Sequence, residues 1–243
     1  MMNYLKLQFN YLFSSIFIIC YGIVLIVIVL GLVFSLNLEM GYQVLDLYPE
    51  EYLKTFLVES SLLVEVMVSI TAIFIATVLS AKTNQVLVVF TTENRRHRFN
   101  FFISRYLAAF LSTFITIGFA FISTVALVNL LSPFHLRPGI LFDLFAWIAY
   151  QAVFLQVMVF FLFAIFNHFL ILTVPIVVFW YKKTIQFPSN HFSDLEKIVL
   201  SFVPSFALIN ESVIIYQEGV IYLIGLTVMI MITVLVNVYS DCK

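Results

Sequence analysis

The sequence predicts an all-α polytopic membrane protein with six transmembrane helices, and three observations predict it. Of 243 residues, 63% are hydrophobic and only 10% are charged, and mean hydropathy is +1.10. A soluble domain carries about 25% charged residues, so this composition cannot furnish a water-facing surface for the chain. The apolar residues also come in runs long enough to cross about 30 Å of hydrocarbon at about 1.5 Å per helical residue. Finally, five of the 12 Lys and Arg residues (Lys82, Arg95, Arg96, Arg98 and Arg105) fall within one polar interval, Ser80 to Phe110. Lys and Arg translocate poorly, which assigns that interval to the cytoplasm and orients every span around it.

Residues 3 to 13 place Asn3, Lys6 and Asn10 at i, i+3 and i+7 among apolar and aromatic neighbours. That spacing suits a short helix lying in the cytoplasmic interface; the alternative is the frayed start of the first span. The first span covers about 14–36, where Gly22 and Gly31 allow close helix contact without forming a GxxxG pair. No small-residue cleavage site follows it, so the segment is expected to be retained rather than removed as a signal peptide. Residues 37 to 58 set Glu39, Asp46, Glu50 and Glu51 against Lys54, an acidic stretch that belongs outside.

The second span, about 59–81, contains Glu65 roughly two turns from its outer end. An intramembrane carboxylate is costly unless it meets the bundle interior, water or a partner, so Glu65 is a candidate for a translocation path. The competing reading is a carboxylate near the outer headgroups, or a neutral one hydrogen-bonded to a neighbouring helix. After the basic interval 82–105, the third span covers about 106–131, and the Pro- and Gly-rich segment from Ser132 to Gly139 makes a tight outer connection. The fourth span, about 140–166, carries Asp143, Gln151 and Gln156. Asp143 and Gln151 lie eight apart on one helix face. They either line a polar cleft or act as hydrogen-bonding glue between helices, and Gln156 joins them as a candidate for the translocation path.

Asn167 and His168 make a minimal cytoplasmic turn before a short fifth span, about 169–187, with Pro175 inside it. Lys182 and Lys183 near its outer end run against the positive-inside rule, and snorkelling to the headgroups accounts for them. Ser193-Asp194-Leu195-Glu196 has the form of a capping box. The apolar run it opens, Ile198 to Ile209, is broken by Pro204 and too short to span, so a broken, partly re-entrant helical pair is expected at the outer face. The last span covers about 219–239, which leaves both termini cytoplasmic. Counted by side, seven basic residues lie inside and five outside, so orientation rests mainly on the central cluster.

Several chemistries are excluded by what the sequence lacks. None of the seven glycines is followed by Lys, so there is no Walker-type phosphate loop and the chain is not expected to hydrolyse nucleotide itself. Neither H-E-x-x-H nor G-x-S-x-G occurs, and the four histidines alternate between the two sides of the expected topology. Glu50-Glu51 resembles the paired glutamates of membrane prenyl-protein proteases but lacks the accompanying arginine. Regularly spaced arginines of the voltage-sensor kind are missing. Cys20 and Cys242 lie at different depths, and no disulfide or metal site is implied. No catalytic residue and no metal is expected.

The central interval resembles the permease subunits of ABC-2 type transporters. In that family the cytoplasmic segment between spans two and three often ends in an arginine, six further residues, then a basic residue, an aromatic and Leu opening the third span. Arg98-Phe-Asn-Phe-Phe-Ile-Ser-Arg105-Tyr106-Leu107 follows this pattern. Arg95 stands where the family usually has Pro, and the customary Glu-Gly start is replaced near Lys82 to Asn84. The resemblance implies a coupling helix over about 83–95 that rests in a groove of a separate ATP-binding subunit. Val86, Leu87 and Phe90 would bury against that partner, while Glu93, Arg95, Arg96, Arg98 and Arg105 frame the contact electrostatically. The alternative for the basic cluster is anionic lipid, held at roughly 1 kcal/mol per cation.

The same resemblance implies a second permease copy, ATP and Mg bound only in the partner subunit, a bacterial plasma-membrane location and an amphipathic peptide or similar hydrophobic substrate. Membrane lipid is a further expected partner; nucleic acid is not. The competing class is a non-transporting membrane immunity or scaffold protein that binds its target directly.

Overall fold

The computed structural model describes residues 2–13, 15–42, 49–80, 95–131, 138–166, 173–177, 208–209, 212–213 and 219–239. Six long helices account for most of them: α1 (Met2–Leu12), α2 (Ser15–Tyr42), α3 (Pro49–Ser80), α4 (Arg95–Leu131), α5 (Pro138–Phe166) and α6 (Gly219–Tyr239). The described protein is therefore essentially all helical. Among the described residues, three stretches are long and apolar enough to cross a membrane: Ser61–Ser80, Arg96–Leu130 and Leu144–Phe166. Shorter apolar stretches lie in α2 (Tyr21–Phe34) and α6 (Ile224–Val236).

The apolar runs locate the helices well, and the helices outrun them. α6 has the bounds expected of the last span, and α5 begins two residues before the expected fourth span, with Pro138 at its first position. Proline is favoured there because its missing N–H would have no partner in any case. α3 starts at Pro49, ten residues before the expected second span, and α2 runs on to Tyr42. Much of the expected outer loop 37–58 is thus helical. α4 starts at Arg95 instead of Tyr106 and has 37 residues, or about 55 Å against about 30 Å of hydrocarbon. Residues 95–105, expected as the end of a cytoplasmic loop, are the first three turns of this helix. Helical hydrogen bonding stops where caps and turns stop it, whereas hydropathy stops at the membrane.

Of the fifth span, residues 173–177 are helical and include buried Pro175; the rest, with Lys182 and Lys183, lies outside the described residues. The expected re-entrant helix is not found at its end. Leu208–Ile209 and Ser212–Val213 instead pair as an antiparallel hairpin, with Leu208 opposite Val213 and Ile209 opposite Ser212. β-branched residues favour that extended form.

Two stacked layers of side chains make the core. One holds Ile28 and Leu32 of α2, Val64 and Val68 of α3, Ile117 and Ala120 of α4, and Leu144 and Ile148 of α5. The other holds Leu12 of α1, Ile75 and Leu79 of α3, Ala108 and Ala109 of α4, and Leu155 and Val159 of α5, with Val234 of α6 against it. Residue numbers rise from the second layer to the first along α2 and α4, and from the first to the second along α3 and α5. Successive helices from α2 to α5 are therefore antiparallel.

α4 packs against each of the other five long helices. Its buried side carries Ser104, Ala108, Ser112, Thr116, Ala120 and Thr124, a small residue at every fourth position, all buried. Small side chains let backbones approach, which is how helices associate where lipid is as apolar as their own surfaces. Leu111, Phe114, Ile115 and Ile122 of the same helix point outward, as expected for a surface facing hydrocarbon. Gly31 serves the same end between α2 and α3, since a Cβ there would lie 2.6 Å from Leu63 Cδ1. Gly22, with nothing within 4 Å of its Cβ position, does not.

Candidate functional site

Buried polar side chains occur on α1, α3, α4, α5 and α6. Buried hydroxyls are mostly satisfied within their own helix: Thr71 donates to the Met67 carbonyl (2.7 Å), Thr124 to that of Ala120 (2.8 Å) and Thr233 to that of Met229 (2.6 Å). Such back-bonding removes most of the cost of burying a hydroxyl.

The informative bonds are those that cross between helices, and they converge on α4. Gln156 of α5 is fully buried. Its Nε2 donates to Thr113 Oγ1 at 2.5 Å and to the Ala109 carbonyl at 3.3 Å. One turn further along, the Tyr21 hydroxyl of α2 lies 2.7 Å from Thr116 Oγ1 and donates to the Ser112 carbonyl at 3.3 Å, while Thr116 donates to the same carbonyl at 3.0 Å. Ala109, Ser112, Thr113 and Thr116 occupy i, i+3, i+4 and i+7, one face of α4. α2 and α5 are thus fastened to opposite flanks of a single polar face.

Of the candidate path residues, Glu65 is 2% exposed and Gln151 is 5% exposed. Glu65 lies in the bundle interior beside Val64 and Val68. Gln156 is interhelical glue, as its bonds to α4 attest. The side chain of Asp143 lies outside the described residues, so its expected face with Gln151 does too. Thr113, Thr116 and Tyr21 were missed at the sequence level. The four-residue spacing of small residues along α4, which a search for GxxxG passes over, points to Thr116; no local signal points to Thr113 or Tyr21.

Of the basic cluster, Val86, Leu87, Phe90 and Glu93 lie outside the described residues, as does the side chain of Arg95. Arg96 is exposed and Arg98 half-buried at the head of α4. Arg105 differs from them. It is 5% exposed, with its guanidinium carbon 5.1 Å from the Phe101 ring centre and 5.2 Å from that of Phe102. Because helix begins at Arg95, Arg105 falls three turns in, where the ends of α3, α5 and α6 close around it. Its guanidinium is thus inside the described bundle, unlike Arg96 and Arg98.

The head of α4 is braced by α1. The Tyr4 hydroxyl lies 2.9 Å from His97 Nδ1, and the Tyr4 ring meets Phe101 edge-on at 6.1 Å. Asn3, Lys6 and Asn10 are exposed while Gln8 and Leu12 are buried, so α1 is a helix with one polar and one packed face and not a frayed end. Among the described residues no group of His, Cys, Asp and Glu could hold a metal ion. No known family model matches the chain, and no curated protein matches it.

Proposed function

We propose that this chain is the permease subunit of an ATP-binding cassette exporter of the ABC-2 type. It has six spans and cytoplasmic termini in a bacterial plasma membrane, works with a second permease copy, and is driven by a separate ATPase subunit that alone binds ATP and Mg. The substrate class is an amphipathic peptide or a similar hydrophobic molecule.

The observation that carries the reading is the continuity of α4. The arginine-bearing segment matching the family pattern is the rigid head of the one helix that packs against all the others. A force applied at Arg95, Arg96 and Arg98 is delivered along about 55 Å of helix to α2 and α5 through Thr116 and Thr113. A flexible basic loop bound to lipid headgroups would need no such transmission. Bracing by α1 through Tyr4, His97 and Phe101 keeps the head from bending under that force. The buried polar line along α4, with Glu65 and Gln151, is the region where a path opens when α2 and α5 separate.

The test is charge reversal of Arg95, Arg96 and Arg98 to Glu, followed by co-purification with an ATP-binding subunit from the same cells. Loss of the complex with membrane insertion unchanged is expected. A complex that survives the reversal refutes the coupling role, and transport that persists with a catalytically dead ATPase refutes the exporter reading.

A further inference from the structure

At the end of the bundle nearest the head of α4 lies a small cleft, partly open to the surroundings. Arg105, Ser80, Tyr106 and Thr233 provide its polar lining, and Phe160 and Phe163 form much of its wall. The guanidinium is the unusual component. Arginine stays charged under all ordinary conditions, and a buried charge is normally paired. Yet Nε and Nη2 of Arg105 are buried without a hydrogen-bond partner among the described residues, and so is the Ser80 hydroxyl. The acidic side chain described within the bundle is Glu65, fifteen residues along α3 from Ser80, or about 22 Å by helical rise. Its carboxylate is in the other core layer and cannot neutralise Arg105. The ring faces of Phe101 and Phe102 offset part of the cost of burying the cation, but they accept neither N–H.

We propose that this cleft is an anion site that takes a phosphate group, with the guanidinium as its bidentate donor and the Ser80 hydroxyl as a second donor. A planar fork of two N–H groups matches two phosphate oxygens. The lining comes from the last residue of α3, the eleventh of α4, and the final turns of α5 and α6. On the proposed topology these are all cytoplasmic helix ends, which sets the cleft at the depth of headgroup phosphates. Its phenylalanine walls suit a phosphate carried on an apolar chain, and the same donors would accept free inorganic phosphate. The proposal goes beyond the exporter reading and rests on it only for the side of the membrane that the cleft faces.

The experiment uses the purified full chain in detergent. Native mass spectrometry measures retention of dioleoyl phosphatidic acid against dioleoylglycerol, which has the same chains and no phosphate, and thermal unfolding is followed with inorganic phosphate alone. Preferential retention of phosphatidic acid, weakened about tenfold or more in Arg105→Gln and less in Arg105→Lys, is the expected result. Should inorganic phosphate alone stabilise the wild type but not Arg105→Gln, the anion is free phosphate and the site stands. Ser80→Ala removes one donor without touching the buried cation and should weaken retention several-fold, which covers the case of Arg105→Gln failing to fold. Equal retention of the two lipids, or retention unchanged in both Ser80→Ala and Arg105→Lys, overturns the proposal.

Discussion

Thr113→Val is expected to destabilise the bundle, and adding Gln156→Leu to restore most of what is lost. In the intact protein Gln156 Nε2 donates to Thr113 Oγ1 at 2.5 Å and to the Ala109 carbonyl at 3.3 Å, while its Oε1 is buried with no partner among the described residues. The carbonyl can only accept, so the nitrogen must be the atom that faces it. Thr113→Val keeps the side-chain shape and removes the shorter bond, which strands a buried amide on one long contact. Interhelical hydrogen bonds in bilayers average about 0.6 kcal/mol and reach about 1.7, and a stranded buried polar group adds to that. A loss of about 1 kcal/mol follows for the single variant.

Gln156→Leu removes both the donor and the unsatisfied Oε1, so its own cost is smaller, and the double variant replaces a polar pair by an apolar one of similar shape. Such replacements are close to neutral, giving a coupling of about 1 kcal/mol in the double-mutant cycle. Reversible unfolding in mixed micelles would measure it, followed by the fluorescence of Trp147, which packs edge-on against Tyr150 of α5. Additivity of the two single variants within about 0.3 kcal/mol would refute the reasoning.

Gly31→Val should cost about 1–3 kcal/mol by overpacking against Leu63, whereas Gly22→Ala, facing open space, should be neutral or gain up to about 1 kcal/mol; the same unfolding assay separates them. Ala120→Leu, on the buried seam of α4, should cost about 1–3 kcal/mol, and the volume-reducing Phe119→Leu on its outward face should stay within about 0.5 kcal/mol. Phe101→Ala should release α1 from the head of α4, since the fully buried ring carries the contact and such truncations cost about 3–5 kcal/mol. Hydrogen exchange over residues 2–12 should then accelerate strongly, and only slightly in Tyr4→Phe, which loses the bond to His97 but keeps the ring.

Helix existence was legible in the sequence because burial in lipid demands long apolar runs, and α6 matches its run end to end. Helix length was not, because polar residues extend α3 and α4 beyond the hydrocarbon. The signals for those extensions were present: Pro49 followed by Glu50 and Glu51 is a helix-start pattern, and Asn94 before Arg95 is a residue type favoured at an N-cap. The burial of Arg105 was not legible, because a basic residue near three others reads as one surface cluster, while helical geometry carries it seven residues past Arg98 and into the closing ends of three helices. Gln156 was recognised as a buried polar group, but which of its two suggested roles it plays depended on Thr113, a partner 43 residues away that no local pattern names.

The small residues of α4 recur every four positions, and four residues advance a helix by about 40° beyond a full turn. From Ser104 to Thr124 the seam therefore winds about 200° around the axis, a right-handed screw thread cut into the rod. Spinning α4 would drive Leu111, Phe114 and Ile115 into spaces shaped for serine, alanine and threonine at every level at once. The thread therefore locks α4 against rotation about its own axis.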